Sequence, residues 1–113
     1  MKNVKNTLNS KHMLSTISNL LSEHHAINIT TIDVKQTTSF TDFMLICEGT
    51  SQRHIEALVD ELIKSPLITV RNKSQNKCKD DLWMVVDCLD VVVHIMHKDA
   101  RHHYQLEKLW EPI

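Results

Sequence analysis

Residues 81–97 read DLWMVVDCLDVVVHIMH. Two apolar-rich runs flank a short polar interruption, a pattern that predicts an antiparallel hairpin. With Cys88 and Leu89 as a two-residue turn, Asp87 faces Asp90, Val86 faces Val91, Val85 faces Val92, Met84 faces Val93 and Trp83 faces His94. Side chains alternate across a strand, so the pairing separates two faces. One carries Leu82, Met84, Val86, Val91, Val93 and Ile95 and is entirely apolar, a core face. The other carries Trp83, Val85, Asp87, Asp90, Val92, His94 and Met96. A large aromatic, a thioether, valines and two carboxylates together suit a protein partner better than plain solvent or plain core. The second face therefore reads as a docking surface.

The rest of the chain supplies a body for that hairpin. Residues 1–9 read as a flexible tail, and Ser10 reads as the cap of a helix running to about Glu23, with Met13, Leu14, Ile17, Leu20 and Leu21 on one stripe. A strand over residues 27–34 changes phase at Thr30-Thr31, as a bulge would make it. Residues 42–48 (DFMLICE) form a short, nearly continuous apolar run, the signature of a central buried strand. Gly49-Thr50-Ser51 then opens a helix whose Ile55, Leu58, Val59, Leu62 and Ile63 recur at helical spacing until Ser65-Pro66. A short strand at 67–70, a lysine-rich loop at 71–80, the hairpin, and a last helix from Lys98 to about Lys108 complete the order. These elements predict an α/β (mixed α+β) domain over residues 10–113, with a single mixed sheet of about five strands and helices packed on it.

Composition narrows the function. A chain of 113 residues makes one domain, and 42% hydrophobic with 24% charged residues is ordinary for a folded one. A net charge of −1 offers no broad electrostatic footprint for nucleic acid, so work near RNA would run through a protein, with direct RNA contact secondary. The eight histidines read as scattered surface residues. Three cysteines (Cys47, Cys78, Cys88) without a C-x-x-C spacing read as reduced thiols of a cytoplasmic protein. Residues 1–12 are polar, unlike a signal peptide, and nothing approaches the ~18 apolar residues of a membrane span.

Candidate chemistry is thin. Gly49-Thr50-Ser51 lies between a strand and a helix, where anions bind, but one glycine makes no phosphate loop, and a hydroxyl helix cap explains the residues more simply. Asp87 and Asp90 as opposed like charges destabilise a hairpin. Solvent at the turn or a basic group on a partner accounts for them, ahead of a metal. His94, His97, His102 and His103 cluster in sequence without the spacing of a zinc site. His94 is expected to pack on the Trp83 ring and offer a nitrogen to a hydrogen bond. Cys47, Cys88 and Ser51 show no neighbouring base that would make a nucleophile. Burial suits Trp110 as a core residue, and for Tyr104 core and surface readings are balanced.

Three runs carry a family resemblance: TDFMLICEGTSQRHIEALVDEL (residues 41–62), LWMVVDCLDVVVHIMH (82–97) and ARHHYQLEKLW (100–110). In order and spacing they closely resemble the Iojap/YbeB family of bacterial ribosomal silencing factors, from the first helix to Trp110. The resemblance implies a nucleotidyltransferase-like fold without the catalytic carboxylates, and no D-x-D or D-x-E follows Gly49-Thr50-Ser51 in the next strand. It implies a non-enzymatic translation repressor with no cofactor. Such a protein binds the large ribosomal subunit through ribosomal protein fourteen and blocks joining of the small subunit. Separately, the mixed apolar and acidic hairpin face offers a surface for a homodimer when that partner is absent. The rival readings are a large-subunit assembly factor, the role of the organelle relatives, and a nucleotidyltransferase-like enzyme.

Carried over by motif, the implied partner-binding residues are Trp83, Asp87, Asp90, His94, Met96 and Tyr104, with Arg101 as a polar contact. Trp83 and Met96 would be apolar anchors, and the two aspartates would meet basic residues. Two departures stand out. Leu89 occupies the glycine of the family's D-x-G-D turn, where positive φ is uncomfortable for leucine, so the turn is expected to be wider or Leu89 to add an apolar contact at its tip. Arg71-Asn72-Lys73 replaces an acidic Glu-Gly pair and reverses the local charge.

Overall fold

A computed structural model describes residues 4–71, 78–80 and 82–110. The first helix, α1 (Val4–Glu23), begins six residues before the expected cap. Ser10 lies inside it, fully buried, and its hydroxyl donates to the Asp42 carboxylate. A buried hydroxyl needs a partner, so Ser10 ties α1 to the loop before the second strand instead of capping. The helix closes with His25 at φ 70, while the Ala26 N–H reaches the Leu21 carbonyl (2.9 Å) and the His25 N–H that of Ser22 (3.1 Å). That is the left-handed closure usually made by glycine.

The sheet has the order β1-β2-β5-β4-β3, with β1 (Ile27–Asp33), β2 (Phe43–Glu48), β3 (Cys78–Asp80), β4 (Trp83–Asp87) and β5 (Val91–Met96). Strands β2 and β5 run parallel at the centre, and the other pairs are antiparallel. The bulge in β1 falls between Ile27 and Thr30, with Asn28 at φ 52, slightly earlier than the sequence indicates. Residues 67–70 do not form the expected strand. Ile68 and Val70 are buried, but the segment leaves the helix through a turn in which the Ile68 N–H bonds the Ser65 carbonyl (3.4 Å). The fifth strand comes instead from residues 78–80, inside the segment read as loop.

Helix α2 (Gln52–Lys64) follows β2, and Ser51 caps it by accepting the His54 N–H. The chain's single glycine, Gly49, has no room for a side chain: a Cβ there would stand 2.7 Å from Ile55 Cγ1. The expected last helix is broken into α3 (Lys98–Tyr104) and α4 (Leu106–Trp110) by Gln105 at φ 48.

Helices lie on both sides of the sheet. Ile17 and Leu21 of α1 and Ile55, Leu58 and Leu62 of α2 share one core with Leu45, Cys47, Val86, Val93 and Ile95. Ala100 of α3 and Leu106 of α4 share a second with Ile32, Val34, Met44, Ile46 and Met96. Covering on both faces is why β2 reads as an unbroken apolar run.

Candidate functional site: an aromatic column on the second sheet face

The hairpin pairs Trp83 with Met96, Met84 with Ile95, Val85 with His94, Val86 with Val93 and Asp87 with Val92. This register is two residues from the expected one. Cys88 joins the ladder, its N–H bonding the Val91 carbonyl at 2.9 Å, so the turn is Leu89-Asp90 rather than Cys88-Leu89. The shift takes the Cys88 side chain into the first core beside Met84 and Val86. Sliding by two preserves side-chain alternation, so the division into faces survives. What changes is the pairing: Asp87 faces Val92, and no opposed carboxylates exist. Leu82 also departs from expectation, packing with Trp83 against the second core.

The turn does not widen. Leu89 adopts φ 67 and its N–H is held by Asp87 Oδ1 at 2.9 Å. A bulky side chain in the left-handed region costs about 1–2 kcal/mol, which the burial of Cys88 and the Asp87 hydrogen bond offset. Asp87 also faces Arg71, whose Nε is 3.7 Å from Oδ2 and whose N–H donates to the Asp87 carbonyl at 2.8 Å. The basic group expected from a partner is therefore partly supplied by the chain itself, at the position where the local charge is reversed. Arg71 is exposed and Asp87 half-buried, so the pair is worth little and stays open to exchange.

On the second face four rings stand in a column. The Trp83 Nε1–H donates to His94 Nδ1 at 3.0 Å, with ring centroids 5.8 Å apart, so His94 packs on Trp83 and accepts its proton diagonally rather than directly across. Tyr104 stands 4.8 Å from Trp83 at 41°, and His103 meets Tyr104 edge-on at 4.9 Å. Exposure rises along the column: His94 is buried at 8%, Trp83 is half-buried, and Tyr104 is 41% exposed. Val85 and Asp87, on the same face of β4, are half-buried as well.

Besides His94, two more expected contact residues lie below this surface. Met96 is 0% exposed in the second core with Ala100 and Leu106, so it supports the column and is not an exposed anchor. Arg101 is spent internally. Its guanidinium donates to Glu107 Oε1 (2.9 Å), Glu48 Oε2 (3.0 Å), the Asn28 carbonyl (2.6 Å) and Thr30 Oγ1 (2.8 Å), and its side chain is 11% exposed. It clamps α3 and α4 onto β1 and β2. Sequence reasoning also missed Phe40, 61% exposed two residues before Asp42, whose N–H bonds the Asp90 carbonyl at 3.1 Å. The only signal was an aromatic set among the polar residues of a turn.

The remaining reactive groups are quiet. His54 turns back over the start of α2, where its Nδ1 accepts the Thr50 N–H at 2.9 Å and its Nε2 meets the His24 carbonyl at 3.0 Å. Burial pushes the Cys47 and Cys88 thiols up to about 12, so both stay protonated. Among the described residues no three His, Cys, Asp or Glu side chains converge in a way that would hold a metal ion, and no helix is long and apolar enough to cross a membrane.

Residues 7–112 match the family model RsfS, described as "Ribosomal silencing factor during starvation". The ribosomal silencing factor RsfS of Haemophilus influenzae is 44% identical over 74% of this chain and 82% of its own length. The mouse protein named mitochondrial assembly of ribosomal large subunit protein 1 is 31% identical over 91% of this chain and 47% of its own. A crystal structure from Bacillus halodurans is similar at TM-score 0.70 and 31% identity, covering 91% of this chain and 97% of that one.

Proposed function

The chain belongs to the RsfS family of ribosomal silencing factors, and we propose that it represses translation without catalysis, as a steric block on the large ribosomal subunit. In this reading it docks through ribosomal protein fourteen and keeps the small subunit from joining. The observation that carries the docking surface is the half-exposed Trp83–Tyr104 pair at the open end of the aromatic column. Tryptophan and tyrosine in pre-formed positions are the side chains that most often dominate a protein interface. Trp83 is already fixed by His94 beneath it, so docking costs little side-chain entropy and leaves no indole N–H unpaired.

The roles divide by depth. Trp83 and Tyr104 make the apolar contact, and Leu89, Asp90 and Asp87 a second contact at the hairpin tip, where a basic partner residue competes with Arg71. His94, Met96 and Arg101 act as positioning residues. The test is capture of isolated large subunits by the wild type and by Trp83→Ala and Tyr104→Ala, with circular dichroism to establish folding. Each variant is expected to lose about 2 kcal/mol of binding, roughly thirtyfold. Undiminished capture by folded variants overturns the site.

A second reading, assembly of the large subunit, is favoured by the name of the mouse relative. It uses the same surface at an earlier stage. Co-sedimentation separates the two: a silencing factor travels with mature large subunits, an assembly factor with their precursors.

A further inference from the structure

The two central strands end at a place where the chain parts to opposite sides of the sheet. Strands β2 and β5 lie side by side and parallel, with Glu48 beside Met96 at their carboxyl ends. From β2 the chain passes through Gly49 and Thr50 to α2, which packs into the first core; from β5 it passes through His97 to α3, whose Ala100 packs into the second. Neighbouring parallel strands whose following helices go to opposite faces leave a crevice between the two connections, the usual ligand position of open α/β sheets. Here the crevice is present as two adjoining clefts that share Glu48 and Lys98 as a common wall. One, of about 290 Å³, is bordered by Gly49, Thr50 and His97; the other, of about 360 Å³, by His102 and Lys108. Together they reach the size of a small-molecule site.

The charge left over in the crevice is positive. Its two carboxylates, Glu48 and Glu107, are both occupied by Arg101 at 3.0 and 2.9 Å. Lys98, Lys108 and His102 border the clefts, and among the described residues none of the three has an acidic partner. Lysine ammonium groups are point-charge binders of phosphate, and Lys98 and Lys108 more than offset the one negative charge that Arg101 leaves on Glu48 and Glu107, so the concave wall selects an anion over a cation. The geometry points to a binding site for a small phosphorylated ligand in this crevice, held by Lys98 on the wall the two clefts share and by Lys108 in the larger cleft, with His102 beside them. It is lined by residues of α3, α4 and the strand ends, none of which is Trp83 or Tyr104, and it does not depend on the role proposed for that pair.

The test is an amide NMR titration of the full chain with ATP, with inorganic pyrophosphate and with a short single-stranded RNA, in magnesium-free buffer at fixed salt. ATP and pyrophosphate are expected to give saturable shifts at residues 48–50 and 97–108, with a dissociation constant on the order of 1 mM or tighter. Lys98→Gln and Lys108→Gln, both on exposed side chains whose loss leaves the fold intact, should each weaken binding about tenfold, the factor for one charge-assisted hydrogen bond. Lys64→Gln, on α2 away from the clefts, should leave it unchanged. Three results overturn the proposal: no saturation by either small anion, equal weakening by Lys64→Gln, or a response to RNA alone.

Discussion

The two faces of the sheet are built from the same alternating strands but closed in different ways. Helices of 20 and 13 residues close the first face, and they bury Ile17, Leu21, Ile55, Leu58 and Leu62 against it. Helices of seven and five residues close the second, contributing Ala100 and Leu106. Short helices remove little apolar area from water. The second roof is instead fastened by a polar clamp, Arg101, and it leaves Trp83, Val85 and Asp87 half uncovered. A small cover pinned by hydrogen bonds rather than spread by hydrophobic area thus leaves part of the sheet face open, and that open part is the surface proposed for docking.

That contrast can be broken from either side. Leu58→Ala on the first face should cost about 4 kcal/mol in chemical denaturation, since Leu58 is fully buried, with ribosome binding lost only as far as folding is. Arg101→Ala should cost about 3 kcal/mol by leaving Glu48 and Glu107 without their cation, and should in addition loosen Tyr104. Hydrogen exchange would register this as lost protection in α3 and α4 with β2 unaffected.

The thiols give the first face a pH signature. Folding raises Cys47 and Cys88 to about 12, above their unfolded values near 8.5. The unfolded chain therefore releases these protons first, and stability falls as pH rises from about 8.5 toward 12. In the Cys47→Ala, Cys88→Ala double variant this alkaline loss should be shallower; a curve of equal slope would show that the thiols are accessible. The smallest effect belongs to the hairpin tip. Leu89→Gly should stabilise the protein by about 1 kcal/mol by relieving φ 67, and a loss of stability would mean that the leucine side chain earns its place through contacts.

Much of this architecture was legible from spacing. The alternation in residues 81–97 assigned most hairpin side chains to their correct face even though the register was off by two, because a slip of two leaves parity unchanged. The helical stripe ending at Ser65-Pro66 and the apolar run DFMLICE likewise gave α2 and β2 nearly to the residue. What escaped was set by tertiary contacts. Cys88 looked like a turn residue until the core drew it into the ladder. Met96 shares the parity of Trp83, and only the placement of α3 and α4 buries it. Arg101 gave no sign that four acceptors from β1, β2 and α4 would converge on it, since they lie six to 73 residues away. Gln105 carries no signal for the left-handed break that separates α3 from α4.

The most direct measurement is the affinity of purified ribosomal protein fourteen for the wild type and for the Trp83→Ala, Tyr104→Ala double variant, with thermal unfolding followed on the same samples. An open aromatic column that serves as the docking surface predicts a loss of about a hundredfold or more in a variant that still unfolds cooperatively. Equal affinities for the two proteins would contradict it.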